Sequence, residues 1–196
     1  MAKERGVSDL NDTELGRRFA EGGEPELEEV MNAYGEKLLR YATSILCDYH
    51  ESEDAVQNVF IAAYQNRRKF DGEYLSAWLY KITYNHCVKQ LKKRKFLFFS
   101  DLGGIPEEIT NPIEDSAISE EILEKLRLLK AEDRALLYGK IMEGQSYDEL
   151  SIIFRKSPAA LRKQYERAKK KLAGYLSDEM DFMERNQKNE FRYEQV

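Results

Sequence analysis

One stretch of this chain constrains its fold more than any other. It runs from residue 146 to residue 172 and reads SYDELSIIFRKSPAALRKQYERAKKKL. Ser146 and Glu149 have the S-x-x-E spacing of a capping box, in which each side chain bonds a backbone N–H left unpaired at a helix start. Ser157 and Pro158 predict a second helix start, because serine caps helices and proline is tolerated at the first helical position. The stretch therefore predicts two consecutive helices with a short turn between them.

The second of these helices has an apolar stripe and a basic outer face. Apolar residues recur at i, i+4, i+7 and i+11, namely Leu161, Tyr165, Ala168 and Leu172. Residues 155 to 172 contain eight basic residues and one acidic residue, in a chain whose net charge is −5. Two packed helices with a solvated lysine face would share this pattern, but such a concentration of positive charge on an acidic chain favours DNA contact. The segment predicts a helix-turn-helix whose second helix enters a major groove.

Composition and residue pattern together predict that the whole chain is helical. Its 196 residues are 42% hydrophobic and 34% charged, which suits one large or two small cores. The sequence has no sustained period-two run, and this predicts an all-α fold. It also has no apolar run of transmembrane length and no apolar signal-peptide core near the N-terminus, so we expect a cytoplasmic protein without membrane insertion. We expect Cys47 and Cys87 to be reduced.

Breaks in the helical periodicity divide the chain into four parts. The sequence predicts two small helical domains joined by a linker, with the helix-turn-helix in the second domain. The predicted parts are an N-terminal domain (1–95), a linker with glycine and proline (96–117), a C-terminal domain (118–176) and a polar tail (177–196).

A second basic island lies between Tyr74 and Ser100, where six basic residues occur without an acidic one. Helical periodicity places Trp78, Asn85 and Lys89 near one line along the predicted helix. A helix buried on one side with half-exposed aromatic residues would give this pattern. A surface that stacks unpaired bases and holds phosphates would give it equally well. The residues leave these two interpretations equally open.

Neither a metal site nor an active site is predicted. Cys47, His50, His86 and Cys87 are potential zinc ligands, but adjacent positions on a helix point about 100° apart. The sequence has no C-x-x-C or H-x-x-x-H spacing, no G-x-S-x-G motif and no Walker loop. We therefore expect no cofactor and no enzymatic activity.

The two basic islands and their flanks, in this order, resemble the extracytoplasmic-function (ECF) group of bacterial RNA polymerase sigma factors. The resemblance covers about residues 27 to 95 and 118 to 175. The pattern of the family's second region is matched by Glu53, Asp54, Gln57, Phe60, Trp78, Leu79, Tyr80 and Asn85. The fourth-region signature, Arg-Ala followed by three basic residues and Leu, is present from Arg167 to Leu172.

This resemblance implies an alternative sigma factor that docks on core RNA polymerase, recognises both promoter elements and promotes strand opening. It implies a bacterial cytoplasmic protein that is a monomer when free. The implied partners are core RNA polymerase, promoter DNA and an anti-sigma factor. Two alternatives stay open: a helix-turn-helix repressor or activator, and a sigma mimic that sequesters an anti-sigma partner.

The resemblance also assigns three groups of residues. The polymerase-binding group is Asp54, Gln57, Asn58, Ile61 and Gln65. The group for the melted downstream element is Phe70, Tyr74, Trp78, Lys81, Tyr84, Asn85, Lys89, Lys92 and Lys93. The group for the upstream element is Ser157, Ala159, Ala160, Arg162, Lys163, Glu166, Arg167 and Lys170. Because Phe70 lies in a predicted turn, we expect its ring to be less buried than that of Trp78.

The sequence departs from the family pattern at the turn of the helix-turn-helix. Arg155 stands where the family usually has glycine with a positive φ, and Lys156 stands where an apolar residue is usual. A residue other than glycine at that position lowers the free energy of unfolding by about 1 kcal/mol, unless the turn has a different backbone conformation from that of the family. The second helix also begins Pro158-Ala159-Ala160, without the commoner Gly-Thr pair, so the contacts of that threonine cannot be carried over.

Overall fold

The computed structural model describes the backbone of residues 2–100 and 118–193, and the side chains of residues 12–96 and 118–177. The described elements are α1 (Ala2–Glu21), α2 (Glu24–Leu46), α3 (Tyr49–Asn66), a 3₁₀ helix (Arg67–Lys69), α4 (Leu75–Ser100), α5 (Glu120–Arg127), α6 (Ala131–Ile141), α7 (Tyr147–Phe154) and α8 (Pro158–Tyr193). These two ranges contain no strand, and the predicted all-α class is confirmed.

Two boundaries differ from those predicted. Helix α4 continues through Ser100 into the predicted linker, and residues 101–117 of that linker lie outside the described residues. Helix α8 continues through Tyr193, so the backbone of most of the predicted tail extends the same helix. At 1.5 Å of rise per residue, the 36 residues of α8 are about 54 Å long.

Helix α1 fixes the start of α4 from a distance of more than 60 residues. The Asp12 carboxylate accepts a hydrogen bond from the backbone N–H of Ser76, at 3.1 Å, and another from the Tyr34 hydroxyl. A carboxylate at a helix N-terminus satisfies an unpaired N–H and complements the helix dipole. Gly16 allows close approach, because a Cβ there would lie 2.9 Å from the Gly72 carbonyl oxygen. Thus α1, α2 and the loop before α4 are held together.

The predicted helix-turn-helix is present as α7 and α8. The backbone N–H of Glu149 donates to Ser146 Oγ (3.2 Å), and the backbone N–H of Ser146 donates to Glu149 Oε2 (2.6 Å). The expected capping box is therefore confirmed. Leu161 and Ala168 are buried, as the apolar stripe predicts. Lys156 is half-buried, and its Nζ lies 2.6 Å from a Glu132 carboxylate oxygen, so an ion pair replaces the usual apolar contact.

Arg155 ends α7 in the left-handed conformation, with φ 54° and ψ 40°. Replacing Arg155 with glycine should raise the free energy of unfolding by about 1 kcal/mol, because glycine adopts this conformation without a Cβ clash. Chemical denaturation followed by circular dichroism measures this difference. Arg155→Ala keeps the Cβ and should give no gain. An equal gain in both variants would show that backbone conformation is not the cause.

The two predicted halves of the chain pack against each other. The largest cluster of buried apolar residues joins Leu38 and Leu79 of the N-terminal half to Leu136, Leu150 and Leu161 of the C-terminal half. Helix α6 lies against α2, and α7 lies against α4. The division into two domains remains a prediction from the sequence, but in this structure the halves share one core.

Candidate nucleic-acid and polymerase interfaces

The outer face of α8, with Ser157 just before its first residue, displays every residue predicted to contact the upstream element. All eight side chains are exposed: Ser157, Ala159, Ala160, Arg162, Lys163, Glu166, Arg167 and Lys170. Two arginines on this face are oriented by neighbours. The Arg162 guanidinium lies 5.2 Å from the ring centroid of Tyr147, and Arg167 Nε donates to the Lys163 carbonyl oxygen at 3.3 Å. The face carries four basic side chains and one acidic side chain. Its basic side chains can bind the phosphates that line a DNA groove.

Helix α4 carries a second basic stripe. Its members recur at i, i+3, i+7, i+11 and i+14, so they lie along one side of the helix: Trp78, Lys81, Asn85, Lys89 and Lys92. Asn85, Lys89 and Lys92 are exposed, as is Lys93 beside them, whereas Trp78 and Lys81 are half-buried. The stripe places an amide between ammonium groups, with an aromatic ring at one end. This arrangement can hold phosphates and reach a base edge.

Phe70 is buried, contrary to expectation. Its side chain is only 7% exposed, and its ring stacks on Trp78 with centroids 4.7 Å apart and planes 24° from parallel. Trp78 is the more accessible of the two rings. A turn residue can still enter the core when the turn folds back onto another helix, and here Gly16 of α1 provides the space. The ring of Phe70 therefore supports Trp78, and little of its surface is left for a ligand.

Tyr74 is the exposed aromatic residue of this loop. Its side chain is 60% exposed, and its backbone has a φ of 54°. A non-glycine residue in the left-handed region is energetically costly, and such residues cluster at functional sites. Tyr74 is thus better placed than Phe70 to stack on an unpaired base.

Tyr84 faces away from the basic stripe. It lies about 100° around the helix axis from Asn85, and its ring contacts Phe154 of α7 edge-on, with centroids 4.8 Å apart. Burial raises the pKa of Tyr84 to about 12, and the carboxylates of Glu132 and Asp133 contribute to this rise. In this conformation the helix-turn-helix covers part of the Tyr84 ring, which is predicted to contact DNA.

A cleft of about 430 Å³ opens beside the same loop. Arg17 of α1 and Arg68 of the 3₁₀ helix contribute to its lining, together with Asp71 and Phe70. Neither arginine was predicted from the sequence. They lie 51 positions apart along the chain, and the short basic run of Arg68, residues 67–69, lies outside the two predicted basic islands.

The outer face of α3 displays the predicted polymerase-binding group. All five side chains are exposed: Asp54, Gln57, Asn58, Ile61 and Gln65. Val59 and Phe60 are buried on the opposite face. Ile61 is 55% exposed, which leaves an apolar contact among polar ones. The face therefore combines exposed polar groups with one exposed apolar side chain, and the Asn58 amide also donates to the Asp54 carbonyl oxygen.

The cysteines lie inside the protein. Cys47 and Cys87 are free and buried, and burial raises the pKa of both thiols, that of Cys87 to about 12. Within the described side chains, no group of three or more His, Cys, Asp and Glu residues is arranged to hold a metal ion. Over the same part of the chain, no helix combines the length and apolar character needed to span a membrane.

Several known proteins are similar to this chain. A family model described as sigma-70 region 2 matches residues 30–96, which include the exposed face of α3 and the stripe of α4. SigE, an ECF RNA polymerase sigma factor of Mycolicibacterium smegmatis, is 24% identical over 78% of this chain and 62% of its own length. SigW, an ECF sigma factor of Bacillus subtilis, is 25% identical over 70% of this chain and 79% of its own. The chain thus contains a sigma-70 region 2 and is similar to ECF sigma factors over most of its length.

Further relatives extend the similarity to both halves of the chain. The RNA polymerase sigma factor NccH of Alcaligenes xylosoxydans xylosoxydans is 27% identical over 84% of this chain and 94% of its own length. Two solved structures share the fold, each with a TM-score of 0.66. CnrH, in complex with the cytosolic domain of CnrY, is 20% identical, and the match covers 85% of this chain and 97% of CnrH. RpoE, in complex with the anti-sigma factor NepR from Bartonella quintana, is 24% identical, with 76% and 96% covered.

Proposed function

We propose that this sigma factor docks on core RNA polymerase through α3, holds the melted downstream promoter strand along α4 and reads the upstream element with α8. The observation that carries the proposal is the pair of exposed basic faces, one on α4 and one on α8, on a chain whose net charge is −5. A general DNA-binding protein needs only one such face. Two faces of different chemistry suit a protein that meets both duplex and single-stranded DNA.

Selective binding of the open strand supplies the free energy for promoter opening. Separating a duplex costs about 1.4 kcal/mol for each stacked step, and extruding a base costs a few kcal/mol more. A surface that holds the strand only when it is single therefore shifts the equilibrium toward the open promoter. Tyr74, Trp78 and Asn85 are the residues we assign to this surface. The polymerase carries out the chemistry, and this chain contributes recognition in the bacterial cytoplasm.

An anti-sigma factor is the proposed regulatory partner. The two similar solved structures are complexes of CnrH with CnrY and of RpoE with NepR. This likeness concerns the fold, and it is the observation that suggests an inhibitor of this kind for this chain.

The proposal is distinguished from an ordinary helix-turn-helix regulator by DNA binding with and without polymerase. A regulator would bind duplex DNA alone, as a dimer. The sigma factor is expected to be a monomer that retards a promoter fragment in a native gel only weakly, and strongly once core polymerase is added. Tight binding by the chain alone, unchanged by polymerase, would favour the regulator.

Docking through α3 gives a second prediction. The double variant Asp54→Ala/Gln57→Ala should weaken binding to core polymerase roughly 10- to 100-fold, because a hydrogen bond to a charged group is worth about 1.5–3 kcal/mol. Its melting temperature should hardly change, since both side chains are exposed. Fluorescence anisotropy of the labelled chain measures the affinity. Glu28→Ala/Asn32→Ala, which removes an exposed acid and an exposed amide from α2, is the matched control. Unaltered affinity in the α3 variant would remove the polymerase assignment.

A further inference from the structure

The ring of Tyr147 lies close to a cation of α6 and a cation of α8. Tyr147 is the first residue of α7 and is half-buried. The Arg162 guanidinium carbon lies 5.2 Å from the centroid of its ring, and Lys140 Nζ lies 5.0 Å from the same centroid. A cation within about 6 Å of a ring centroid is attracted by the quadrupole of the ring. Tyr147 therefore attracts one cation from each of the two neighbouring helices.

The Tyr147 ring is itself held in place by its surroundings. The capping box at the start of α7 places Tyr147 at the first helical position. Lys140 Nζ donates to the Gln145 carbonyl oxygen at 2.8 Å, which ties the lysine of α6 to the turn before α7. Tyr165 of α8 contacts the Tyr147 ring edge-on, with centroids 6.4 Å apart. The ring is thus fixed from the α6 side and from the α8 side before any ligand binds.

Arg162 is well placed to read a base from this position. It is exposed and lies four residues after Pro158, the first residue of α8. The N-terminal residues of a recognition helix are the ones that reach base edges in the major groove. A guanidinium is planar, so it can stack on a ring by one face and still donate hydrogen bonds from its edge. An arginine that donates two such bonds to guanine is the commonest specific contact in a major groove.

The contact with Tyr147 reduces the cost of that reading. A free arginine side chain samples many rotamers, and immobilising it on binding lowers the affinity. A ring that already restricts the guanidinium removes part of this cost. It also favours one direction of the donors, so bases that need another direction gain less.

We propose that Tyr147 is a positioning residue for promoter specificity: its ring holds the Arg162 guanidinium in the orientation that reads one base of the upstream element. The effect on specificity rests on the proposed function of α8. The hold of the ring on the arginine does not.

Nuclear magnetic resonance of the free full-length chain tests the hold. The order parameter of the Arg162 Nε–H group should exceed that of Arg155, an exposed arginine of the same motif. Tyr147→Leu, which keeps an apolar side chain without a ring, should lower the Arg162 value to that of Arg155, whereas Tyr147→Phe should keep it. An Arg162 value in the parent chain no higher than that of Arg155 would overturn the inference. Because this comparison uses the unaltered chain, a folding defect in Tyr147→Leu does not remove the test.

Transcription of a randomised promoter library with core polymerase tests the effect on specificity. Arg162→Ala should relax the preference at one position of the upstream element. Tyr147→Leu should relax the preference at the same position by about two- to tenfold, and Tyr147→Phe should leave it unchanged. The double variant Tyr147→Leu/Arg162→Ala should show the preferences of Arg162→Ala alone, because the tyrosine acts through the arginine. Tyr49→Leu is the matched control, since Tyr49 is a half-buried tyrosine at the first position of α3.

A merely structural role of Tyr147 gives a different result. It would lower the yield from all promoters and leave the enriched sequences unchanged, and this outcome in Tyr147→Leu would overturn the inference. Relaxed preference in Tyr147→Phe equal to that in Tyr147→Leu would overturn it as well, because the hydroxyl and not the ring would then be responsible. If the parent chain supports no transcription, the proposed function fails, while the order parameters still decide whether Tyr147 holds Arg162.

Discussion

Alanine in place of Asn85 should lower transcription from a duplex promoter by roughly 10- to 100-fold, since a good base contact is worth about 1–3 kcal/mol. Asn85 is exposed in the middle of the α4 stripe, between Lys81 and Lys89. Its amide offers one acceptor and two donors on a short side chain, which suits a base edge. Run-off transcription with each variant at saturating concentration measures the loss.

A template with a pre-opened bubble separates strand capture from strand opening. Tyr74→Ala should be strongly defective on duplex DNA and should recover much of its activity on the bubble, because its proposed role is to stack on a base as the duplex opens. Asn85→Ala should recover less, because its base contact is still missing.

Two matched controls accompany these variants. Tyr74→Phe keeps the ring and should stay active, and Asn66→Ala removes an exposed amide from α3, away from the stripe. Phe70→Ala does not serve as a test of opening, because its ring is part of the core and its loss would disturb Trp78. Equal defects of Tyr74→Ala and Asn85→Ala on both templates would show that the loop plays no part in opening.

Single alanine substitutions on α8 should change promoter preference in two different ways. We predict that at least one of Arg162 and Lys163 reads a base, so that its removal costs about 1–3 kcal/mol and relaxes preference at one position. We predict that Arg167 mainly holds a phosphate, so that Arg167→Ala weakens all promoters alike. The bond from Arg167 Nε to the Lys163 carbonyl oxygen holds this side chain along the helix, which favours a backbone contact.

Transcription of a randomised promoter library by each variant separates these outcomes. A base-reading residue changes the sequences that are enriched, whereas a phosphate contact lowers the total yield and leaves the enriched sequences unchanged. Lys169→Ala, an exposed base of α8 outside the predicted set, is the control for loss of charge. Identical preferences in Arg162→Ala, Lys163→Ala and Arg167→Ala would contradict the assignment.

The local structure of the helix-turn-helix was predictable because its causes are local. The capping box of Ser146 and Glu149, the turn at Arg155 and the buried Leu161 all follow from spacings of a few residues. The exposed faces of α3 and α8 were predictable for the same reason, since helical periodicity fixes which side chains share a face.

The features that the sequence did not predict depend on contacts between distant segments. Phe70 is buried because α1 brings Gly16 to the loop, and Tyr84 is covered because α7 packs on α4. Periodicity shows that a face is apolar without showing which element covers it. The contacts of Arg127 and Arg134 with the end of α2 could not be predicted either, because their acceptors are the backbone carbonyls of Cys47 and Ile45, which no side-chain pattern records.

Run-off transcription from fragmented genomic DNA with purified core polymerase tests the central claim most directly. We expect discrete transcripts only when this chain and core polymerase are both present, and we expect the DNA upstream of their start sites to share one pair of sequence elements. Their absence, with transcription no higher than that of core polymerase alone, would contradict the assignment of this chain as an initiation factor. Binding of an anti-sigma factor without any such transcripts would instead identify a mimic that sequesters that factor.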